Sequence, residues 1–146
     1  KAAIEEGIVA GGGVALIRAA LEVEKLAATK KNLTKEQILG YEIVVKALMA
    51  PAKQIAINAG KDDGSVIVDR IKNGKGNIGY DALKDEMVTD MIVAGIVDPV
   101  KVTRLGVENA CSAAAILLTT EAAVADEPEE EKKPAQGGGM SEGMGY

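Results

Sequence analysis

The chain has 146 residues and a mass of 15.1 kDa, which suits one domain of ordinary size and excludes a complete multidomain protein. It contains no histidine, and this excludes imidazole-based catalysis and His-ligated zinc. A formal net charge of −5 and an aromatic content of 2% predict no nucleic-acid partner, because phosphate backbones need cations and single strands need stacking rings.

The first half of the chain predicts helices separated by glycine- and lysine-rich breaks. Residues 1–6 have the character of helix interior, and an apolar stripe at helical spacing runs over residues 14–26. Thr34 and Gln37 have the spacing of a capping box, so a long helix should follow them. Pro51 should break or kink that helix, and Gly60 should end it.

The next segment predicts short strands among helices. Asp63-Gly64-Ser65 should open a helix over residues 66–71, and the glycine-rich segment 73–80 should be a turn that leads into a strand. Residues 84–94 are predicted to be helical. Residues 95–99 should form a second strand ending at a helix start, and residues 96–97 should pair with residues 78–81 in a small ribbon.

The last long helix is predicted over residues 99–120, with an apolar surface broad enough for full burial. Cys111 lies within it and should be a buried, inert thiol rather than a nucleophile, because no base adjoins it in the sequence. A strand over residues 121–125 and a disordered acidic, Gly/Met-rich tail over residues 126–146 should follow. The longest apolar run, residues 113–118, is too short to cross a membrane.

These elements, with a core of aliphatic residues, predict a mainly α fold: a helical bundle with a small β-ribbon. Because the chain begins inside a helix pattern and without Met, we expect it to be a piece of a longer protein.

The triple glycine at residues 11–13 is the first candidate functional motif. Glycine is unfavourable in regular structure, so three in a row indicate a backbone role that side chains would obstruct. Two interpretations stay open from these residues alone. The segment is either a tight interhelical turn or backbone that lies against a ligand such as a nucleotide, although no phosphate-binding loop motif is present.

Two further motifs each have a structural and a functional interpretation. Asp98 followed by Pro99 is typical of a helix start, with Asp98 as the N-cap, but a fixed carboxylate also suits the hydroxyls of a sugar. The GYDAL segment at residues 79–83 is either a strand end and turn or an edge that recognises a base. Lys101 and Arg104 should form a solvated helix face with Glu108.

Several segments, taken in order, resemble the group I chaperonins, the bacterial sixty-kilodalton heat-shock proteins. The segments are EEGIVAGGGVALIR at residues 5–18, APAKQIAINAG at 50–60, GNIGYDA at 76–82, GIVDPVKVTR at 95–104 and the Gly/Met tail. The resemblance implies that residues 1–10 end an intermediate domain, that residues 11–125 are the C-terminal half of an equatorial ATP-binding domain, and that residues 126–146 are a flexible tail.

The resemblance also implies a binding role for particular residues. Gly12 would lie against the nucleotide, Asp98 would accept hydrogen bonds from the ribose, and Asp81, Ala82 and Leu83 would approach the adenine. Asp81 stands where many members carry Asn, and the stretch between Tyr80 and Asp98 is one residue longer than in some members, so the adenine contacts are less well matched.

The cofactor implied by the resemblance is ATP or ADP, with Mg²⁺ and K⁺ held mainly by residues outside this chain. The phosphate-binding loop, the catalytic aspartate and the apical domain that binds co-chaperonin and unfolded clients would also lie upstream of Lys1. The chain would therefore supply no catalytic residue and no metal ligand, and should not hydrolyse ATP alone. The parent should assemble into rings in the bacterial cytoplasm.

Two other functions compete with an ATP-dependent folding chaperonin. One is a non-enzymatic helical interaction module, in which Gly11–Gly13 and Asp98 serve only turns and caps. A dinucleotide-dependent enzyme is disfavoured, because no parallel βαβ pattern precedes the glycines.

Overall fold

The computed structural model describes residues 1–126, which form five helices and four short strands. The elements are α1 (Ala2–Glu6), β1 (Ile8–Ala10), α2 (Val14–Thr29), α3 (Lys35–Asn58), α4 (Ser65–Asn73), β2 (Gly79–Asp81), β3 (Glu86–Val88), β4 (Val97–Pro99) and α5 (Val100–Thr119). The predicted mainly α fold with a small β component is confirmed.

The principal core lies where α2, α3 and α4 meet β2 and the turn after β3. Ile17, Ile71 and Met91 are fully buried there, and each such side chain stabilises the fold by about 1.5–3 kcal/mol. The remaining buried members are Ala10, Val14, Ala52, Ala56, Ile67, Val68 and Tyr80. A smaller cluster of Ala20, Val45 and Leu48 extends the contact between α2 and α3.

Helix α3 begins as predicted and ends at Asn58, two residues before the expected end at Gly60. The Thr34 hydroxyl accepts from the Gln37 amide at 3.3 Å, and the Gln37 side chain accepts from the Thr34 amide at 3.0 Å, which confirms the capping box. The expected break at Pro51 is wrong, because α3 runs through it to Asn58. Ala52, next to Pro51, is buried in the core, and this packing compensates for the backbone bond that proline cannot make.

The strands form two antiparallel pairs rather than the single predicted ribbon. β1 pairs with β4, and β2 pairs with β3, so the expected pairing of residues 78–81 with residues 96–97 is wrong. The expected helix over residues 84–94 is also wrong. Met87 and Val88 reach the core from a strand, and the Asp90 carboxylate accepts from the Ile92 and Val93 amides in the turn that follows.

Helix α5 lies where predicted, but the expectation of full burial is wrong. None of its residues is buried, and Leu117 and Leu118 are 75% and 87% exposed. Cys111 is exposed as well, so the expected buried thiol is wrong. The reason is that, within residues 1–126, α5 packs mainly through its first half, so its apolar second half has no cover.

Helix α1 is fastened to the start of α5. Arg104 donates to Glu6 at 2.7 and 3.1 Å and to Glu108 at 2.8 Å, and Lys101 pairs with Glu5. The Val100 amide also donates to the Gly7 carbonyl at 3.1 Å. The predicted solvated face of α5 is therefore half-exposed and joined to another element.

Residues 121–126 are irregular, so the strand expected over residues 121–125 is wrong. Of the tail predicted to be disordered, residues 127–146 lie outside the described residues. Across residues 1–126, no helix has the length and apolar character that crossing a membrane requires.

Candidate functional site

The triple glycine joins β1 to α2, so the interhelical turn among the two interpretations is wrong. The Gly11 amide donates to the Ile96 carbonyl at 2.9 Å, which carries the β1–β4 contact one residue further. Gly12 and Gly13 then have φ of 66° and 79°, a left-handed conformation that residues with a Cβ rarely adopt. The chain thereby reverses from a strand into a helix within three residues.

Close packing inside the protein also requires glycine at position 13, where a Cβ would meet the Ala52 backbone, and disfavours a Cβ at position 12, where it would meet the flexible end of Met91. A Cβ at Gly12 would lie 2.8 Å from Met91 Cε, and one at Gly13 would lie 2.8 Å from Ala52 Cβ. The Gly12 position is also 3.7 Å from the Tyr80 carbonyl oxygen, so the turn lies directly beside β2. The need for glycine is thus explained without a ligand, and a binding role must rest on what surrounds the turn.

Asp98 lies in β4 and does not cap α5. The N-cap of α5 is Pro99, with no side-chain capping bond, so the predicted N-cap role of Asp98 is wrong. Asp98 is half-buried, and within residues 1–126 its carboxylate has neither a hydrogen bond nor an ion pair. A carboxylate held on a strand beside the core, with no protein partner, is free to accept hydrogen bonds from a ligand.

The glycine turn and Asp98 lie close together. Asp98 pairs with Val9 across the ladder, and Gly12 follows Val9 by three residues, which span at most about 11 Å. The Gly12 position lies 3.7 Å from the Tyr80 carbonyl oxygen and the Gly11 amide bonds to Ile96, so β2 and the start of β4 both adjoin the glycine turn.

The Asp81 carboxylate accepts hydrogen bonds from its own loop. Asp81 is 7% exposed, and its Oδ1 accepts from the Leu83 amide at 2.9 Å and the Lys84 amide at 3.2 Å. This local turn satisfies two backbone donors at the end of β2. Asp81 therefore shapes the loop, whereas its neighbour Leu83, 94% exposed, is available for outside contact, as is exposed Ala82.

A second anchor of this loop, at Asp85, gives no signal in the sequence. Asp85 Oδ1 accepts from the Tyr80 hydroxyl at 2.7 Å and lies 2.5 Å from Lys61 Nζ. The Lys61 ammonium and the Tyr80 hydroxyl lower the pKa of Asp85, and the same contacts raise the pKa values of Lys61 and Tyr80. Tyr80 and Asp85 are neighbours only because residues 79–88 form a hairpin, which the predicted helix concealed.

The largest described cavities lie away from the glycine turn and the two aspartates. Five cavities of about 420–500 Å³ lie elsewhere on residues 1–126, and none of these five is lined by Gly12, Asp81 or Asp98. The same part of the chain holds no group of three or more acidic or cysteine side chains placed to bind a metal ion. The side chains of Asp98 and Leu83 would suit a nucleoside. The free carboxylate of Asp98 could accept hydrogen bonds from hydroxyls, and the exposed apolar side chain of Leu83 could contact a base.

Comparison with a family model and with solved structures points in both cases to the chaperonins. Residues 1–128 match the model of the TCP-1/cpn60 chaperonin family. A group III chaperonin in the open state is similar with a TM-score of 0.72 and 29% identity, covering 84% of this chain and 25% of that one.

An open-state monomer of a group II chaperonin from Methanococcoides burtonii has a TM-score of 0.68 and 24% identity, covering 77% of this chain and 28% of that one. The chain thus spans about a quarter of the length of these structures.

Proposed function

Because the chain belongs to the TCP-1/cpn60 chaperonin family, we propose that it supplies the adenine and ribose side of the ATP site of a protein-folding chaperonin. We assign it to the C-terminal part of an equatorial domain on the motifs quoted above, and it covers about a quarter of the similar structures. We assign it to group I on the residue motifs quoted above, although the two solved structures just described belong to groups II and III.

The observation that carries the proposal is the free carboxylate of Asp98 beside the glycine turn. It is half-buried, held by the β1–β4 ladder, and not engaged by any side chain of residues 1–126. In contrast, the Asp81 carboxylate accepts two amide bonds at Oδ1 and lies 3.9 Å from Lys84 Nζ at Oδ2. Because no side chain of residues 1–126 engages it, the half-buried carboxylate of Asp98 is available to accept hydrogen bonds from the hydroxyls of a ligand.

Each predicted site residue has a role in this proposal. Asp98 accepts from the ribose hydroxyls, and the backbone at Gly12 lies against the nucleotide. Ala82 and Leu83 face the adenine from the loop after β2. Asp81 acts through that loop, because its oxygen already holds the Leu83 and Lys84 amides.

The chemistry of ATP hydrolysis would come from outside these residues. Mg²⁺ and K⁺, held by upstream residues, would neutralise phosphate charge, and an upstream carboxylate would position water. The chain would add binding and orientation of the nucleoside. In the assembled protein, copies would form rings in the bacterial cytoplasm, and co-chaperonin and unfolded clients would bind through regions outside this chain.

Nucleotide affinity of the protein with its upstream residues tests the proposal. Asp98→Ala should weaken ATP binding about tenfold or more, because a hydrogen bond to a charged group contributes about 1.5–3 kcal/mol. Asp62→Ala is the matched control, since Asp62 is an exposed aspartate on the loop between α3 and α4. Equal ATP affinity in Asp98→Ala and wild type by isothermal titration calorimetry would contradict the proposal.

The isolated chain should not hydrolyse ATP. Phosphate release measured with the purified 146-residue chain should equal the buffer background. Steady release that Asp98→Ala leaves unchanged would show that the catalytic groups lie elsewhere than proposed.

The uncovered face of α5 supports the alternative of a helical interaction module. A groove of about 440 Å³ between α3 and α5 is apolar, and exposed Ile116, Leu117 and Leu118 follow it along α5. We expect this surface to make the isolated chain self-associate in sedimentation velocity. The two functions separate when upstream residues are added, because only the chaperonin proposal expects nucleotide affinity that depends on Asp98.

A further inference from the structure

The loop over residues 82–85 is fixed at both ends, although its tip packs against nothing. At its start, Asp81 accepts from the Leu83 and Lys84 amides. At its end, Asp85 is bound by Tyr80 and Lys61. Leu83 between them is 94% exposed. A loop whose ends are tied while its apolar tip stays uncovered is suited to present that tip to a ligand.

Asp85 adopts a conformation that needs this support. Its φ of 57° makes it the one non-glycine residue with positive φ among residues 1–126. Aspartate adopts this left-handed conformation more readily than most residues with a Cβ, and the contacts of its carboxylate fix it at the end of this hairpin loop. The contacts here are the Tyr80 hydroxyl at 2.7 Å and the Lys61 ammonium at 2.5 Å.

Both partners of Asp85 are themselves firmly placed. Tyr80 is 5% exposed and belongs to the principal core, so its hydroxyl extends from a fixed ring. Lys61 follows the end of α3, where its amide donates to the Ala56 carbonyl at 3.1 Å. The carboxylate of Asp85 therefore connects the loop to two different parts of the folded chain.

We propose that Lys61 and Asp85 are positioning residues for recognition of the base. They do not touch the nucleotide. Their ion pair, with the Tyr80 hydroxyl, holds the loop so that Ala82 and Leu83 present one fixed edge to adenine, and this pre-organisation favours adenine over other bases. The inference rests on the proposed function, since it assumes that adenine binds at this loop.

The test compares two nucleotides that share ribose and phosphates but differ in the base. ATP and GTP dissociation constants are measured on the protein with its upstream residues. Lys61→Met should weaken ATP binding about two- to fivefold, because an exposed ion pair is weak, and should change GTP binding less. Tyr80→Phe, which keeps the buried ring, should act in the same direction, and Lys61→Arg should restore the preference for ATP.

Lys53→Met is the matched control for Lys61→Met. Lys53 forms an ion pair of 2.7 Å with Asp63, with a side-chain exposure of 44% against 36% for Lys61, and does not contact the hairpin. It should leave the ratio of GTP to ATP dissociation constants unchanged. Without nucleotide, amide exchange at Leu83 and Lys84 should accelerate in Lys61→Met and not in Lys53→Met.

The outcomes separate this inference from the proposed function. If wild type binds no ATP, or Asp98→Ala binds it as well as wild type, both are overturned. If Asp98→Ala weakens ATP binding but Lys61→Met matches Lys53→Met, only the positioning role is overturned. The same holds if Lys61→Met weakens ATP and GTP equally. A reduced ATP preference in Lys61→Met and Tyr80→Phe supports it.

Discussion

Asp81 and Asp98 lie in short strands of the same small region, but the protein uses their carboxylates differently. Asp81 is buried and accepts two amide bonds from its own loop. Asp98 is half-buried and has no partner among residues 1–126. Proximity to a site therefore does not make a carboxylate available to a ligand. Its availability depends on the hydrogen bonds that it already accepts within the protein.

The largest expected effect on stability comes from the glycine turn, which adjoins β2. Gly12→Val should destabilise the chain by about 3 kcal/mol or more, because it combines a positive φ with a contact against Met91. Urea denaturation measures this. Gly40→Ala is the control, since a Cβ at Gly40 meets nothing within 4 Å and helix α3 favours alanine there. Equal stability of Gly12→Val and wild type would refute the described turn.

The next largest effect on stability is expected at the Asp81 carboxylate. Asp81→Ala should cost about 1–3 kcal/mol, because it leaves the Leu83 and Lys84 amides without their acceptor. Asp81→Asn keeps an acceptor oxygen and should cost much less. Thermal denaturation of both variants checks this, and the expected order would be contradicted if asparagine were as harmful as alanine.

Asp98→Ala should have a smaller effect on stability. Because the Asp98 carboxylate holds nothing within residues 1–126, its removal should change the free energy of unfolding by no more than about 0.5 kcal/mol. The measurement is the same thermal denaturation as for Asp81→Ala. A loss as large as that of Asp81→Ala would remove the contrast between the two residues.

The smallest effect is a pH dependence at the loop. The pKa of Asp85 is lowered from 3.8 by the Lys61 ammonium and the Tyr80 hydroxyl. Its contribution to stability is therefore present above pH 3.8 and is lost as pH falls through the lowered folded value. Below pH 3.8, the melting temperature of wild type should fall towards that of Asp85→Asn. A gap between them that stays constant in acid would contradict this.

The sequence predicts the helices better than the strands. Thr34 and Gln37 locate the start of α3, because a capping box depends on neighbouring residues. The pairing of β1 with β4 depends on residues far apart in the chain, which no local pattern reports. The helix predicted over residues 84–94 is wrong because Met87, Val88 and Met91 have spacing compatible with a helix, whereas the fold buries them from a hairpin and the turn that follows it.

The candidate site was predictable in part. The motifs point to Gly12, Asp81, Ala82, Leu83 and Asp98. The structure places β2 against the turn at Gly12 and Asp98 opposite Val9, while binding itself stays a prediction. The division of labour between Asp81 and Asp98 could not be predicted, because it depends on which amides lie within reach of each carboxylate. Lys61 gave no local signal, since its partner lies across a loop.

The β1–β4 ladder also bears on the order of folding. It joins Ile8 to Pro99, two residues separated by most of the described chain. Closing so long a loop is entropically costly, and contacts between distant residues form slowly. The helices can therefore associate before this ladder closes. Until the ladder closes, Asp98 and Gly12 lie on separate segments, so a ligand that contacts both, as proposed, should bind only after the ladder has formed.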